Sequence, residues 1–135
     1  MRTQVSTISR LAMARFDPGY DLLEAIRAAV DETGIRNGMI VNGVGSLNRY
    51  RVHVVGKPEL PTEDVFFEGE GPFDILSITG LILDGRVHAH ITFSNTDRAM
   101  GGHLEEGCRI LTFAMAVLAE TPDVEIADWD RVSPL

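Results

Sequence analysis

Apolar and polar positions alternate most cleanly over residues 87–94. Val87, Ala89, Ile91 and Phe93 are apolar, while His88, His90, Thr92 and Ser94 are polar. This period of two predicts a strand with one buried face. The Asp84-Gly85 pair just before it is a favoured two-residue turn. A hairpin about that turn sets Ile82 opposite Val87, Gly80 opposite Ala89, Ile78 opposite Ile91 and Leu76 opposite Phe93. On the other face Leu81 meets His88, Thr79 meets His90 and Ser77 meets Thr92. A slip of one residue would mix the two sets, so the pattern itself selects the register.

Elsewhere the pattern is less regular. Residues 5–16 read as a first strand, with Ile8, Leu11, Met13 and Phe16 among its apolar positions. Asp17-Pro18-Gly19 is turn chemistry. Asp21 can then cap a helix, with Glu24 three residues on as in a capping box, and Leu22, Ile26, Ala29 and Val30 form one apolar stripe. Gly34 is a suitable stop. Residues 38–47 form a β segment broken by Asn42-Gly43 and Gly45. A bulge or close packing explains these glycines better than a phosphate loop, because no third glycine and no following helix accompany them. Residues 50–56 predict a strand, 57–64 a loop, 65–68 a short strand and Gly69-Glu70-Gly71-Pro72 a turn. Residues 95–100 read as a loop ahead of Gly101-Gly102-His103, and 108–118 as a buried strand. The acidic segment 119–135 has Trp129 as its one large anchor. It offers an edge strand at 124–129, a surface for a neighbouring subunit, or simply a solvated face.

Together these elements predict an α+β fold, an α/β sandwich. A largely antiparallel sheet of about six to eight strands carries one main helix on one face. The 135 residues suit one domain, with a core at about 8–118 and an acidic tail at 119–135. No run of about 18 apolar residues predicts a membrane span. The start of the chain leads into no apolar signal region, and the single cysteine, Cys108, fits a reducing compartment. A cytoplasmic location is expected.

Net charge is −8, with one lysine and scattered arginines. Phosphate binding needs clustered cations, so nonspecific nucleic-acid binding is disfavoured.

The candidate chemistry lies in three histidines. Side chains two apart on a strand share a face, which puts the Cα atoms of His88 and His90 roughly 6.7 Å apart. With His103 they can hold one metal ion, zinc or another divalent cation. Three protein ligands leave a fourth position for water or a small-molecule ligand, as in catalytic zinc sites, where the water pKa falls to about 7. Glu105 and Glu106, close to His103 in sequence, are the candidate general bases or orienting groups. Each is also read as an ordinary solvated carboxylate. Cys108 reads as a core residue rather than a fourth ligand. His53, on the face opposite Val52 and Val54, reads as solvated or hydrogen-bonded, without a histidine neighbour.

Several runs carry a family resemblance. They are Gly71-Pro72-Phe73-Asp74-Ile75-Leu76-Ser77-Ile78-Thr79-Gly80, Asp84-Gly85, His88-Ala89-His90 and Gly101-Gly102-His103-Leu104-Glu105-Glu106-Gly107-Cys108. Together they resemble the "plants and prokaryotes conserved" (PPC) domain over about residues 8–118, in its stand-alone bacterial and archaeal form. The resemblance implies a compact homotrimer that binds metal, usually zinc, through three histidines, here His88, His90 and His103. Plant members follow DNA-binding AT-hooks, and the Arg-Gly-Arg-Pro signature of such a hook is absent from this sequence. The plant motif Gly-Arg-Phe-Glu-Ile-Leu appears as Gly71-Pro72-Phe73-Asp74-Ile75-Leu76, with proline where plants have arginine. Three functions follow as expectations. The first is a zinc-binding trimer, with a hydrolase-type reaction as one use of its open site. The second is a DNA-associated regulator. The third is a metal that only staples subunits.

Overall fold

The structure is a computed structural model that describes residues 1–132; the last three residues of the tail lie outside it. Six strands and one helix follow in the order β1 (Arg10–Phe16), α1 (Leu22–Thr33), β2 (Gly38–Val55), β3 (Asp64–Leu83), β4 (Arg86–Ser94), β5 (Ala99–Leu104) and β6 (Arg109–Glu120). The fold is broadly α+β, with a single antiparallel sheet of order β1-β6-β2-β3-β4-β5. No helix among the described residues is long and apolar enough to cross a membrane.

The β3–β4 hairpin forms about Asp84-Gly85 in the expected register from Ser77↔Thr92 to Ile82↔Val87. Both turn residues have positive φ, 52° and 80°, the backbone that matches strand twist and favours glycine at the second position. Beyond Ser77 the expectation fails. The register shifts between Ile75 and Ser77, so Phe93 faces Ile75 rather than Leu76. Leu76 is the extra residue of a bulge. It turns outward and is 50% exposed, while Ile75 and Phe93 are buried.

Other boundaries differ as well, beginning with the first strand, expected at 5–16 and observed at Arg10–Phe16. The two segments expected at 38–47 and 50–56 are one strand, β2, bent by register shifts at Ile40/Asn42, Gly45/Leu47 and Leu47/Arg49. The turn expected at Gly69–Pro72 lies inside β3, where Gly69 and Glu70 pair with Tyr50 and Arg49. The Gly101-Gly102-His103 run is not a loop end but the centre of β5. Residues 124–129, one candidate edge strand, are irregular over 124–126 and turn over 127–129 instead.

The helix follows its sequence signals closely. Asp21 accepts a hydrogen bond from the Glu24 N–H, and Gly34 closes the helix in the left-handed region with its N–H on Val30 and Asp31 carbonyls. Leu22, Leu23, Ile26, Ala29 and Val30 join one buried cluster with Ile78, Ile91, Phe93, Leu104, Ile110 and Leu118.

The sheet also closes on itself. β5 pairs with β4 along one edge and with β2 along the other, at Val52↔Leu104 and His53↔His103. Strands β2, β3, β4 and β5 thus form a ring, with β6 and β1 extending the first half of β2. Two glycines make this closure possible. A Cβ on Gly102 would stand 2.6 Å from the His53 carbonyl oxygen, and one on Gly101 would stand 2.3 Å from that of Ile91. Because backbone atoms cannot swing aside, Gly102→Ala is expected to destabilise the fold by about 1–3 kcal/mol. Urea unfolding checks this.

Candidate metal centre

The outward face of the closed ring carries the histidines. His90 pairs with His103 across β4 and β5, and His103 pairs with His53 across β5 and β2. Paired residues share a face, so three imidazoles stand in a row over adjacent strands. His88 sits two residues along β4, beside the row. The ring centroids of His88 and His103 are 4.8 Å apart, those of His88 and His90 5.5 Å, and those of His90 and His103 5.6 Å. The structure therefore brings together the three histidines singled out from sequence.

It bears out a hydrogen-bonded His53 and corrects one part of the reading of that residue. That ring has a histidine neighbour, stacking on His103 at a centroid distance of 4.4 Å. Its Nδ1 lies 2.5 Å from Glu105 Oε1, and its Nε2 lies 3.7 Å from Asp64. His53, His103 and Glu105 each place one ligand atom within 4.8 Å of the others. Only the β2–β5 pairing joins His53 to the site. The one local signal was its polar side chain, out of phase with Val52 and Val54 on β2.

The two candidate glutamates part company. Glu105 stays at the site, with Oε1 3.2 Å from His103 Nδ1. That approach lacks hydrogen-bond geometry, and His103 Nδ1 is a buried nitrogen without a hydrogen-bond partner among the described residues. Glu106 turns to α1 and pairs with Arg27 at 2.6 Å. Cys108 is fully buried, where its Sγ donates to the Arg51 carbonyl and accepts from the Arg51 N–H.

The tail contributes as well. Asp130 reaches β4, where its carboxylate takes hydrogen bonds from Arg86 and from His88 Nδ1 at 3.0 Å. The reading of this segment as a merely solvated face is thus incomplete. Arg86 holds the Asp130 carboxyl well below the usual range, against the opposing effect of burial, and His88 adds to the lowering.

Two of the rings favour the neutral imidazole. His90 and His103 are both held below the ordinary histidine value, first by burial and then by neighbouring rings: His88 and His53 for His90, His53 and His88 for His103. Glu105 opposes the shift at His103. Neutral rings keep the lone pairs that a cation needs.

A small antiparallel α+β ring with a histidine cluster on its outer face is the class these features define. The chain belongs to the Plants and Prokaryotes Conserved (PCC) domain family, whose model matches residues 3–122. Two Synechococcus proteins named bifunctional protein GlmU are 29% identical over 110 and 113 residues, or 81% and 83% of this chain. The chain spans only 16% and 17% of their length. A plant- and prokaryote-conserved (PPC) protein from Pyrococcus horikoshii is 27% identical, with a TM-score of 0.74 over 93% of this chain and 87% of that one. A metal-containing protein from Archaeoglobus fulgidus shares the fold at a TM-score of 0.77 and 23% identity, over 93% of this chain and 90% of that one.

The lowered histidine values carry a sign that can be checked. The unfolded chain takes up protons near pH 6.5, before folded His90 and His103 do. Acidification of the metal-free protein through that value is therefore expected to lower its stability, with no loss from these groups above it. Ring-proton NMR should place both midpoints below the unfolded value, and urea midpoints should fall from about pH 7 to about pH 5.

Proposed function

We propose that this protein is a metal-binding homotrimer whose zinc, or another divalent cation, is held by His88, His90 and His103, with a coordination position left for an exogenous ligand. The gathering of those three rings on the outer face of β4 and β5, with centroids 4.8–5.6 Å apart, carries the proposal, beside the set His53, His103 and Glu105 whose ligand atoms lie within 4.8 Å of one another. The unpartnered, buried Nδ1 of His103 and the lowered proton affinity of two rings fit a cation better than a solvated cluster. An all-imidazole set suits zinc, which in such sites supplies Lewis acidity at its remaining position. Glu105, held between His53 and His103, is placed to accept a proton near that position; Glu106 is not. A fold shared with a metal-containing archaeal protein agrees with this proposal.

Self-association is supported by an exposed apolar face on β1, β6 and β2. Leu11 and Met13, then Leu111, Phe113 and Met115, then Val44 are each at least 36% exposed. Pairings such as Val44↔Met115 place them on one side of the sheet. Contiguous apolar patches of this kind mark protein contacts.

The DNA-associated alternative finds little electrostatic support. Seven of the eleven arginines, Arg10, Arg15, Arg27, Arg36, Arg49, Arg86 and Arg131, are paired with carboxylates of the same chain. Few remain to neutralise phosphates.

Elemental analysis of purified protein should find about one zinc per chain, and His103→Ala should lose it. Stoichiometric zinc retained in that variant overturns the ligand assignment. Light scattering should give about three times the 14.8 kDa chain mass. Phe113→Asp is expected to shift the protein toward monomer, because a charge at a buried interface is costly. Trimers that survive chelation with the metal gone would argue against a metal that merely staples subunits.

A further inference from the structure

Arg86, His88 and His90 lie two residues apart along β4 and project from one face. Asp130 arrives on that face from the turns after β6. Arg86 grips it with two hydrogen bonds, Nη1 to Oδ2 at 2.6 Å and Nη2 to Oδ1 at 2.8 Å. Arg86 also donates to the Ala127 carbonyl at 2.9 Å, and buried Ile126 anchors the same segment. The Asp130 side chain is only 14% exposed, against 49–70% for most carboxylates in the other ion pairs of the chain. This is a built contact, not a loose surface pair.

The carboxylate has one further neighbour, His88, whose Nδ1 stands 3.0 Å from Oδ2. A carboxylate only accepts, so Nδ1 of the neutral ring carries the proton and Nε2 keeps the lone pair. Free imidazole side chains favour the opposite tautomer. We infer that Asp130 is a positioning residue for the metal centre: it fixes His88 in the Nδ1–H form, so that Nε2 is the only atom this ring can offer a cation. The inference rests on the metal-binding proposal above. Asp130 acts through His88: its Oδ2 takes bonds from Arg86 Nη1 and His88 Nδ1, and its Oδ1 one from Arg86 Nη2. A carboxylate behind a ligating histidine fixes ring orientation and strengthens the ligand, and its loss typically weakens metal binding by about 10–100-fold.

Two measurements test this. In metal-free protein labelled with ¹⁵N, ring-nitrogen shifts should show His88 as the Nδ1–H tautomer, reverting to Nε2–H in Asp130→Ala. An Nε2–H ring in the wild type, or no change in the variant, overturns the inference. Competition with a chelator should then show zinc bound about 10–100-fold more weakly by Asp130→Ala, with unchanged stoichiometry. The ligand-field bands of the cobalt-loaded protein should move, and Asp130→Glu should recover part of the affinity. Zinc affinity within roughly twofold of wild type overturns the positioning role, whatever happens to thermal stability. Asp130→Asn serves if the alanine variant fails to fold, and its metal-free melting point separates tail loosening from an effect on the ligand. Should the wild type bind no zinc, the metal-binding proposal falls, and the tautomer alone decides whether Asp130 controls His88.

Discussion

Two rungs of backbone pairing, Val52 with Leu104 and His53 with His103, hold the closed ring and the histidine cluster together. Without them β5 would be an edge strand, and His53, distant in sequence from His88, His90 and His103, would lack the strand pairing that sets it beside them. With them, interstrand spacing alone brings imidazoles side by side on β4, β5 and β2. Closure is a matter of clearance. The glycines at 101 and 102 let β5 lie between two backbones that no Cβ could approach so closely. The same closure puts Val52, Leu104, Ile91 and Phe93 on the inside, so one constraint builds the core and the outer site together.

The parts of the fold that follow local rules were legible in the sequence. The 84–85 hairpin is specified by a two-residue turn and by alternation, and the helix by Asp21, Glu24 and Gly34. His88 and His90 share a face by the same alternation, so half of the cluster could be placed before any tertiary contact was known. The remainder depends on pairing between distant residues. His53 meets His103 only because the ring closes, and nothing near residue 53 records that. The bulge at Leu76 is a compromise between two registers, and an alternating pattern cannot reveal which leucine or isoleucine yields. Gly69–Pro72 has turn composition, yet pairing with the second half of β2 keeps it extended. Asp130 was hidden for a different reason. A carboxylate in an acidic tail looks like any other until its arginine partner, on another element, is known.

The charges of the chain are organised pairwise more than collectively. Exposed pairs such as Arg36–Asp84 and Lys57–Glu63 contribute about 0–1 kcal/mol each at best. Their main effect is to occupy the arginines. Around the histidines the arrangement differs, because Glu105, Asp64 and Asp130 approach ring nitrogens from just after β5, from β3 and from the tail. Burial and neighbouring rings disfavour protons on His90 and His103, while carboxylates stand at hydrogen-bond distance from His53 and His88. That division gives an acidic chain a nitrogen-rich face rimmed by carboxylates.

The lone cysteine shows how thoroughly the fold withdraws one reactive group. Burial pushes the Cys108 thiol up to about 11, and both of its hydrogen-bonding roles are taken by the Arg51 backbone. A thiol so placed is almost entirely protonated under cellular conditions and presents no surface to an oxidant or an alkylating reagent. The one thiol of the chain is therefore out of reach in the folded state. Air, disulfide exchange and maleimide labels should all leave it untouched until it unfolds.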